Sequence, residues 1–280
     1  MKEKIMEKVF LVIACVSILA VALICFFLFT NGIPAISKIG SLEFLFGFDW
    51  EPLNDKFGIV PMVVGSIYVT IGAIIIGVPI GILTAVFLVW FCPERIYKVI
   101  KPAVNLMAGV PSVVYGFFGM MVLVPFVRNM FTGNGYSVFT ASLLLGIMIL
   151  PTIIGPSESA IRAVPSNYYE GALALGASHE RSVFFAVLPA AKSGVVAAIV
   201  LGIGRAVGET MAVVMVAGNQ MRIPDSIFKG TGTLTTGIVL EMAEAVDLHR
   251  QALIALGVVL FVMVLLINMA VTLIKNRGTK

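Results

Sequence analysis

Long apolar runs alternate with short polar segments along this chain. Six of the runs reach the roughly 20 residues that a helix needs to cross the apolar layer of a bilayer. The pattern therefore predicts six membrane-spanning helices, at residues 9–29, 58–92, 102–127, 137–156, 193–217 and 251–274.

Three of these runs need interpretation. The first contains Ala20-Val21-Ala22, which looks like a signal-peptide cleavage site, but the apolar run continues past it, which favours an uncleaved span. The run 58–92 is longer than one span needs; because no charge divides it, we expect one helix bent near Pro79. The run 102–127 is interrupted at Gly109-Val110-Pro111, so its span is predicted to begin near Ser112.

Composition supports a membrane protein. Of 280 residues, 59% are hydrophobic and 12% charged, and the mean hydropathy is +1.05, whereas soluble domains carry roughly a quarter charged residues. The net charge of +4 comes from dispersed basic residues, which argues against nucleic-acid binding. The three cysteines are odd in number and two lie inside the first run, so neither a disulfide nor a metal site is expected.

The distribution of basic residues predicts the orientation. Most of the 19 lysines and arginines fall in the segments on the side of the two termini. Cytoplasmic segments of membrane proteins are enriched in such residues, so both termini are predicted to be cytoplasmic. The predicted location is the cytoplasmic (inner) membrane of a prokaryote.

The polar segment 157–189 is predicted to form a two-helix elbow on that same side. Ser166 can cap its first helix, Gly176 can end that helix, and Ser178 can cap a second one with Glu180 in its first turn. On shape alone, an ordinary loop between spans is the alternative.

The fifth run is the one that carries charges, Arg205 and Glu209. Arg205 would lie about 18 Å into a helix that starts at Ser193, close to the bilayer centre, where an arginine usually faces protein or water. Glu209, four residues on, could pair with it. One interpretation is a structural clip between helices. The other is a water-lined path in which the guanidinium attracts an oxyanion and Glu209 moderates that attraction; Ser112, beside the Gly109–Pro111 break, is a further candidate for this path.

Other polar residues carry weaker signals. His179 and His249 are isolated loop histidines to which we assign no role. Residues 235–246 predict a short surface helix, with Glu241, Glu244 and Asp247 on a solvated face. No glycine-rich phosphate loop is present, so the chain is not predicted to hydrolyse ATP.

The elbow resembles the EAA loop of ABC-importer permeases, whose pattern is E-A-A-x3-G-x9-I-x-L-P. Gly171 replaces the first alanine of the pattern and Ala186 replaces the isoleucine. The residues that match in register are Glu170, Ala172, Gly176, Leu188 and Pro189. The resemblance implies that residues Glu170, Gly171, Ala172, Gly176, Leu188 and Pro189 couple the chain to an ATPase.

A second resemblance narrows the family. Gly202–Thr210, together with the sequence Pro111-Ser112-Val113-Val114-Tyr115-Gly116, is similar to phosphate-specific ABC permeases, most closely of the PstC type. It implies an all-α polytopic membrane protein with type I ABC importer permease architecture, and phosphate passage at Arg205 and Glu209. It also implies a PstA-like second permease, a PstB-like ATPase dimer that binds the ATP, and a PstS-like extracytoplasmic phosphate-binding protein, with no cofactor on this chain.

Several alternatives stay open. The chain could be the sister PstA-type subunit, a permease for sulfate or molybdate, or an ATP-independent carrier. An intramembrane enzyme is the least favoured alternative, because the predicted spans contain no nucleophile–base pair. The predicted organisation is an N-terminal helix and loop at 1–57, a permease domain at 58–274 containing the elbow 157–189, and a cytoplasmic tail at 275–280.

Overall fold

The computed structural model describes residues 2–131 and 133–277, which form helices apart from one short β-hairpin and the connecting segments. The hairpin pairs β1 (Trp50–Glu51) with β2 (Lys56–Phe57). The helices are α1 (Lys2–Ile39), α2 (Ser41–Phe46), α3 (Val60–Val86), α4 (Glu94–Gly109), α5 (Ser112–Phe118), α6 (Val124–Met130), α7 (Val138–Arg162), α8 (Ser166–Ala174), α9 (His179–Ser182), α10 (Leu188–Ala190), α11 (Lys192–Gly208), α12 (Met211–Val216), α13 (Leu234–Glu241) and α14 (Asp247–Arg277). Short π-helical segments extend α3 to Phe91 and join α5 to α6 and α9 to α10.

The described residues contain five helices that are long and apolar enough to span a membrane. The number becomes six if α9–α10 and α11, which meet at a bend of 72°, are counted together as one broken span. Below, the end of the bundle that carries α8 and α9 is called the elbow end. The end that carries the hairpin and α13 is called the cap end.

α7 is the central helix of the bundle. It packs against α3, α11, α4 and α12, and its Leu144, Ile149 and Ile153 are fully buried. Glycines permit this close packing: a Cβ at Gly77 or Gly81 of α3 would lie 2.7–2.8 Å from Ile149 or Ile153. Because larger residues would force the helices apart, α3 and α7 form one tightly packed pair.

The first span is longer than predicted. The apolar run ends at Phe29, but α1 continues to Ile39. Its polar residues are satisfied locally, since the Thr30 hydroxyl donates to the Phe26 carbonyl at 2.7 Å. α14 covers the extension, where Ala35 is fully buried. Contact between distant helices therefore extends α1 beyond its apolar run.

Three further predictions about the extent of the spans are confirmed. The run 58–92 forms one continuous helix, Val60–Phe91, with Pro79 inside it. The third span begins at Ser112, after a break at Val110 and Pro111 where the backbone is extended. The last predicted span, 251–274, is confirmed as part of α14. Residues 278–280 of the predicted tail lie outside the described residues.

The prediction of an unbroken fifth span over 193–217 is wrong. α11 ends at Gly208, Glu209 is extended with φ −71° and ψ 130°, and α12 starts at Met211. Two hydrogen bonds hold this break. Thr235 donates to the Glu209 carbonyl at 3.1 Å, and the Glu209 carboxylate accepts from the Ala212 N–H at 3.3 Å. These bonds partner backbone groups that a broken helix leaves free.

The elbow forms as two helices, as predicted, with two differences. Gly176 ends α8 with φ +85°, and the Ser178 hydroxyl accepts from the Arg181 N–H at 3.3 Å. Ser166, however, is the first helical residue rather than the N-cap, which is Pro165. α7 runs on to Arg162, so the beginning of the predicted elbow segment belongs to the central helix.

The prediction of a surface helix at 235–246 is wrong in extent and in burial. α13 covers Leu234–Glu241, and its first turn is buried at the cap end, where Leu234 and Thr236 are fully enclosed. Glu241 does not lie on a solvated face, because it accepts from the Trp50 indole at 2.9 Å and pairs with His249 at 2.7 Å. Glu244 and Asp247 are exposed, as expected.

Candidate functional site

Arg205 is half-buried near the end of α11. Its guanidinium donates to the Thr152 hydroxyl on α7 at 3.3 Å, and this is its single protein hydrogen bond within residues 2–131 and 133–277. A guanidinium has five N–H donors, so most of its hydrogen-bonding capacity is unused by the protein.

The predicted Arg205–Glu209 pair does not form. Among the described residues no ion pair joins the two, because the chain leaves the helix at Glu209 and the i, i+4 geometry is lost. The carboxylate turns instead to the first turn of α12. The positive charge of Arg205 is therefore not neutralised by a direct carboxylate contact, and the clip interpretation loses its basis.

Arg205 lies on a side of the bundle that other helices do not cover. A Cβ at Gly204 or Gly208 of α11, or at Gly155 of α7, would meet no atom within 4 Å. Gly202, on another side of α11, faces Ile153 at 2.8 Å. We call the uncovered surface of Thr152, Gly155, Gly204, Arg205 and Gly208 the open face.

Ser112 lies at the second helix break, directly after Pro111. It is half-exposed as the first residue of α5, and its hydroxyl has no hydrogen-bond partner in the part of the chain that the structure describes. Tyr115, one turn along, donates to the Met107 carbonyl at 3.0 Å and so joins α5 to α4 across the break. Val110 and Tyr115 pack with Ala206 in the central core. α5 also packs against α12, so the two helices that follow the breaks are neighbours in the bundle.

The residues predicted to contact an ATPase separate into two groups. Glu170, Gly171, Ala172 and Gly176 belong to α8 and its end, where no residue of the helix is buried and a Cβ at either glycine would meet open space. Leu188 and Pro189 lie on α10, where Leu188 packs against the core of the elbow end. The first group forms a projecting surface, and the second lies at the joint with α11.

Sequence reasoning missed a buried charge network at the elbow end. Glu158 of α7 is 3% exposed and accepts from Tyr97 at 2.8 Å, Lys101 at 2.7 Å and Arg162 at 3.1 Å. The i, i+4 spacing of Glu158 and Arg162 is visible in the sequence. The contribution of α4 is not, because it depends on how α4 packs against α7.

Comparison with known proteins gives the relationship of the chain. Residues 77–279 match the family described as binding-protein-dependent transport system inner membrane component. The chain is 37% identical to the probable ABC transporter permease protein YqgH of Bacillus subtilis (strain 168), over 94% of this chain and 88% of that protein. It is 36% identical to the phosphate transport system permease protein PstC of Mesorhizobium japonicum, over 86% of this chain and 80% of that protein.

The fold has relatives among solved structures. A chain of the MetNI methionine ABC transporter in an inward-facing conformation superposes with a TM-score of 0.66 at 21% identity, covering 83% of this chain and 100% of that one. At this identity the likeness concerns the fold alone. Together with the family match, it confirms the predicted architecture: the chain belongs to the family of binding-protein-dependent transport system inner membrane components, the permease subunits of ABC importers.

Proposed function

We propose that this permease passes inorganic phosphate across the cytoplasmic membrane, and that the anion moves along the open face past Arg205. The observation that carries the proposal is the Arg205 guanidinium, which lies half-buried within the bundle and which, among the described residues, has one protein hydrogen bond and no carboxylate partner. A charged residue inside a membrane domain is unfavourable unless protein, water or a substrate solvates it. Relatives named as phosphate permeases support the choice of anion.

The geometry of the site suits an anion that must pass and not stay. A planar guanidinium offers parallel donors to a tetrahedral oxyanion. The free Ser112 hydroxyl offers a further polar contact at the neighbouring break. Glu209 keeps a negative charge close to the α11–α12 break, where it limits how tightly the anion is held, because conduction requires release as well as binding.

The same proposal assigns the partners. A PstA-like second permease covers the open face, a PstB-like ATPase dimer receives α8 through Glu170–Gly176, and a PstS-like binding protein delivers phosphate at the cap end. Both termini and the elbow are then cytoplasmic. ATP is bound and hydrolysed by the ATPase, and the permease needs no cofactor of its own.

The test is phosphate uptake in proteoliposomes that contain the assembled complex. Arg205→Gln removes the charge and keeps a polar side chain of similar reach. We expect uptake at limiting phosphate to fall about tenfold to a hundredfold, since hydrogen bonds to charged groups contribute roughly 1.5–3 kcal/mol. Arg95→Gln is the matched control, because Arg95 is exposed on α4 away from the open face.

Two outcomes contradict the proposal. Uptake that survives Arg205→Gln in an intact complex would remove Arg205 from the path. Uptake of sulfate or molybdate in place of phosphate, with phosphate failing to compete, would favour a permease for a different oxyanion.

A further inference from the structure

Tyr169 attaches the projecting helix α8 to the core at the elbow end. No residue of α8 is buried, and Tyr169, next to Glu170, is the residue of α8 that packs against the core at the elbow end. Its ring lies 4.4 Å from that of Trp90, centroid to centroid, and its hydroxyl lies 2.7 Å from Nδ1 of His179. Tyr169 is therefore one point at which a force applied to α8 reaches the bundle.

His179 continues this connection to the end of α3. Its Nε2 lies 3.3 Å from the carbonyl oxygen of Trp90, and its ring meets the Phe91 ring edge-on at 4.8 Å. A carbonyl can only accept, so Nε2 carries the proton. In the neutral ring Nδ1 is then the acceptor, and the Tyr169 hydroxyl donates to it. The imidazole thus links α8, α9 and α3 in one directed hydrogen-bond chain.

The connection ends at a helix that packs closely against α7. Trp90 lies in the last turn of α3, where helical carbonyls lack partners along the chain. α3 packs against α7 through Gly77 and Gly81, with almost no space between the helices. α7 carries Thr152, the partner of Arg205. A displacement of the end of α3 is therefore transmitted towards the open face.

We propose that His179 is a positioning residue for coupling: through Tyr169 and the Trp90 carbonyl, it transmits the movement of α8 into α3 and α7. The inference rests on the proposed function, since it needs an ATPase that moves α8. It gives a role to a histidine that the sequence presents as an isolated loop residue.

The test compares transport with ATP hydrolysis in the same vesicles. His179→Phe keeps an aromatic ring against Trp90 and Phe91 but removes both hydrogen bonds; Tyr169→Phe removes one hydroxyl and nothing else. The complex is purified with its ATPase and binding protein and placed in proteoliposomes. Phosphate taken up per ATP hydrolysed is then measured for each variant.

We expect both variants to retain the ATPase and its hydrolysis rate while uptake per ATP falls about fivefold, at the low end of typical coupling free energies. The double variant should resemble His179→Phe, because both changes break the same chain. Tyr168→Phe is the matched control. Tyr168 neighbours Tyr169, is 52% exposed and has no hydrogen-bond partner for its hydroxyl among the described residues, so its loss should leave the ratio unchanged.

A purely structural role would lower the yield of assembled complex and leave the ratio at the wild-type value, which would overturn the inference. An equal fall in Tyr168→Phe would overturn it as well. If His179→Phe fails to assemble, Tyr169→Phe decides, because it removes a single oxygen atom. A wild-type complex that shows neither phosphate uptake nor phosphate-stimulated hydrolysis would overturn the proposed function and this inference with it.

Discussion

Two charged side chains on neighbouring helices of the bundle have opposite surroundings. Glu158 of α7 is almost fully buried and accepts hydrogen bonds from Tyr97, Lys101 and Arg162. Arg205 of α11 is half-buried, and within the part of the chain that the structure describes its one hydrogen-bond partner is the neutral Thr152. The carboxylate is compensated by the protein itself, whereas the guanidinium is not.

Under the proposed function, the difference separates a structural charge from one on the substrate path. A buried carboxylate with two cations and a phenol fixes the position of α4 against α7, and leaves little capacity for another ligand. An uncompensated guanidinium beside an uncovered surface keeps its capacity for an incoming anion. The same reasoning explains why Glu209 matters less as a partner of Arg205 than the sequence suggested.

The largest effect on stability is expected from removing the charge of Glu158. Glu158→Gln leaves Lys101 and Arg162 without their counterion, although their partial exposure moderates the loss. We expect the free energy of unfolding in detergent to fall by about 2 kcal/mol. Uptake per folded complex should remain close to wild type, in contrast to Arg205→Gln.

A second substitution tests whether the lost counterion is the cause. Lys101→Met in the Glu158→Gln background removes one of the stranded cations and should restore part of the stability. Unchanged unfolding of Glu158→Gln would show that the network contributes nothing to the packing of α4 on α7.

Two glycines of α11 provide a matched pair of smaller effects. Gly202 faces Ile153, and a Cβ there would lie 2.8 Å from that side chain, whereas Gly204 faces open space. We expect Gly202→Ala to destabilise the isolated subunit by about 1 kcal/mol, because the core is overpacked. Gly204→Ala should stabilise it by up to about 1 kcal/mol through helix propensity.

The same pair distinguishes folding from assembly. If the open face receives the second permease or the anion, Gly204→Ala should reduce uptake of the complex although the subunit itself is no less stable. Thermal unfolding of the subunit and uptake by the complex are the two measurements. Equal behaviour of both variants in both assays would contradict the distinction between a packed and an open side of α11.

The smallest effect is expected at the single protein partner of Arg205. Thr152→Val preserves shape and removes the hydroxyl, which should lower stability by about 0.6 kcal/mol. Uptake at limiting phosphate should fall by about threefold, because the guanidinium loses the hydrogen bond that fixes its direction while keeping its charge. Thr152→Ser keeps the hydroxyl and serves as control; a loss as large as that of Arg205→Gln would mean that Thr152 itself contacts the substrate.

Much of the fold can be predicted from the sequence, because in lipid each apolar segment must satisfy its own backbone hydrogen bonds. Apolar runs must become helices, so the helices at 58–92, 137–156 and 251–274 could be placed from composition alone, and the breaks at Pro111 and Gly176 follow from local backbone preferences. The two helices of the elbow are likewise local, since Gly176 and Ser178 act on their immediate neighbours.

Contacts between distant segments could not be predicted in this way. The extension of α1 depends on its packing against α14, and the interruption of the fifth span depends on Thr235, a residue of α13 at the cap end. His179 has hydrogen-bond partners on α3 and α8 that the sequence does not identify: the Trp90 carbonyl is remote in the chain, and no pattern marks Tyr169 as a partner. The first of these features arises from packing between distant helices, and the other two arise where a polar group finds a partner that only the folded chain supplies.

The sequence by itself determined the class of protein, the approximate spans and the two charged positions of the fifth run. Hydrophobicity and helix propensity act over a few turns, and that is the scale on which a sequence can be interpreted. Tertiary structure alone decided that Glu209 leaves the helix, that Arg205 has no carboxylate partner among the described residues, and that Glu158 is held by Lys101 and Arg162. Compensation of charge depends on distances between helices, and those distances are set by packing.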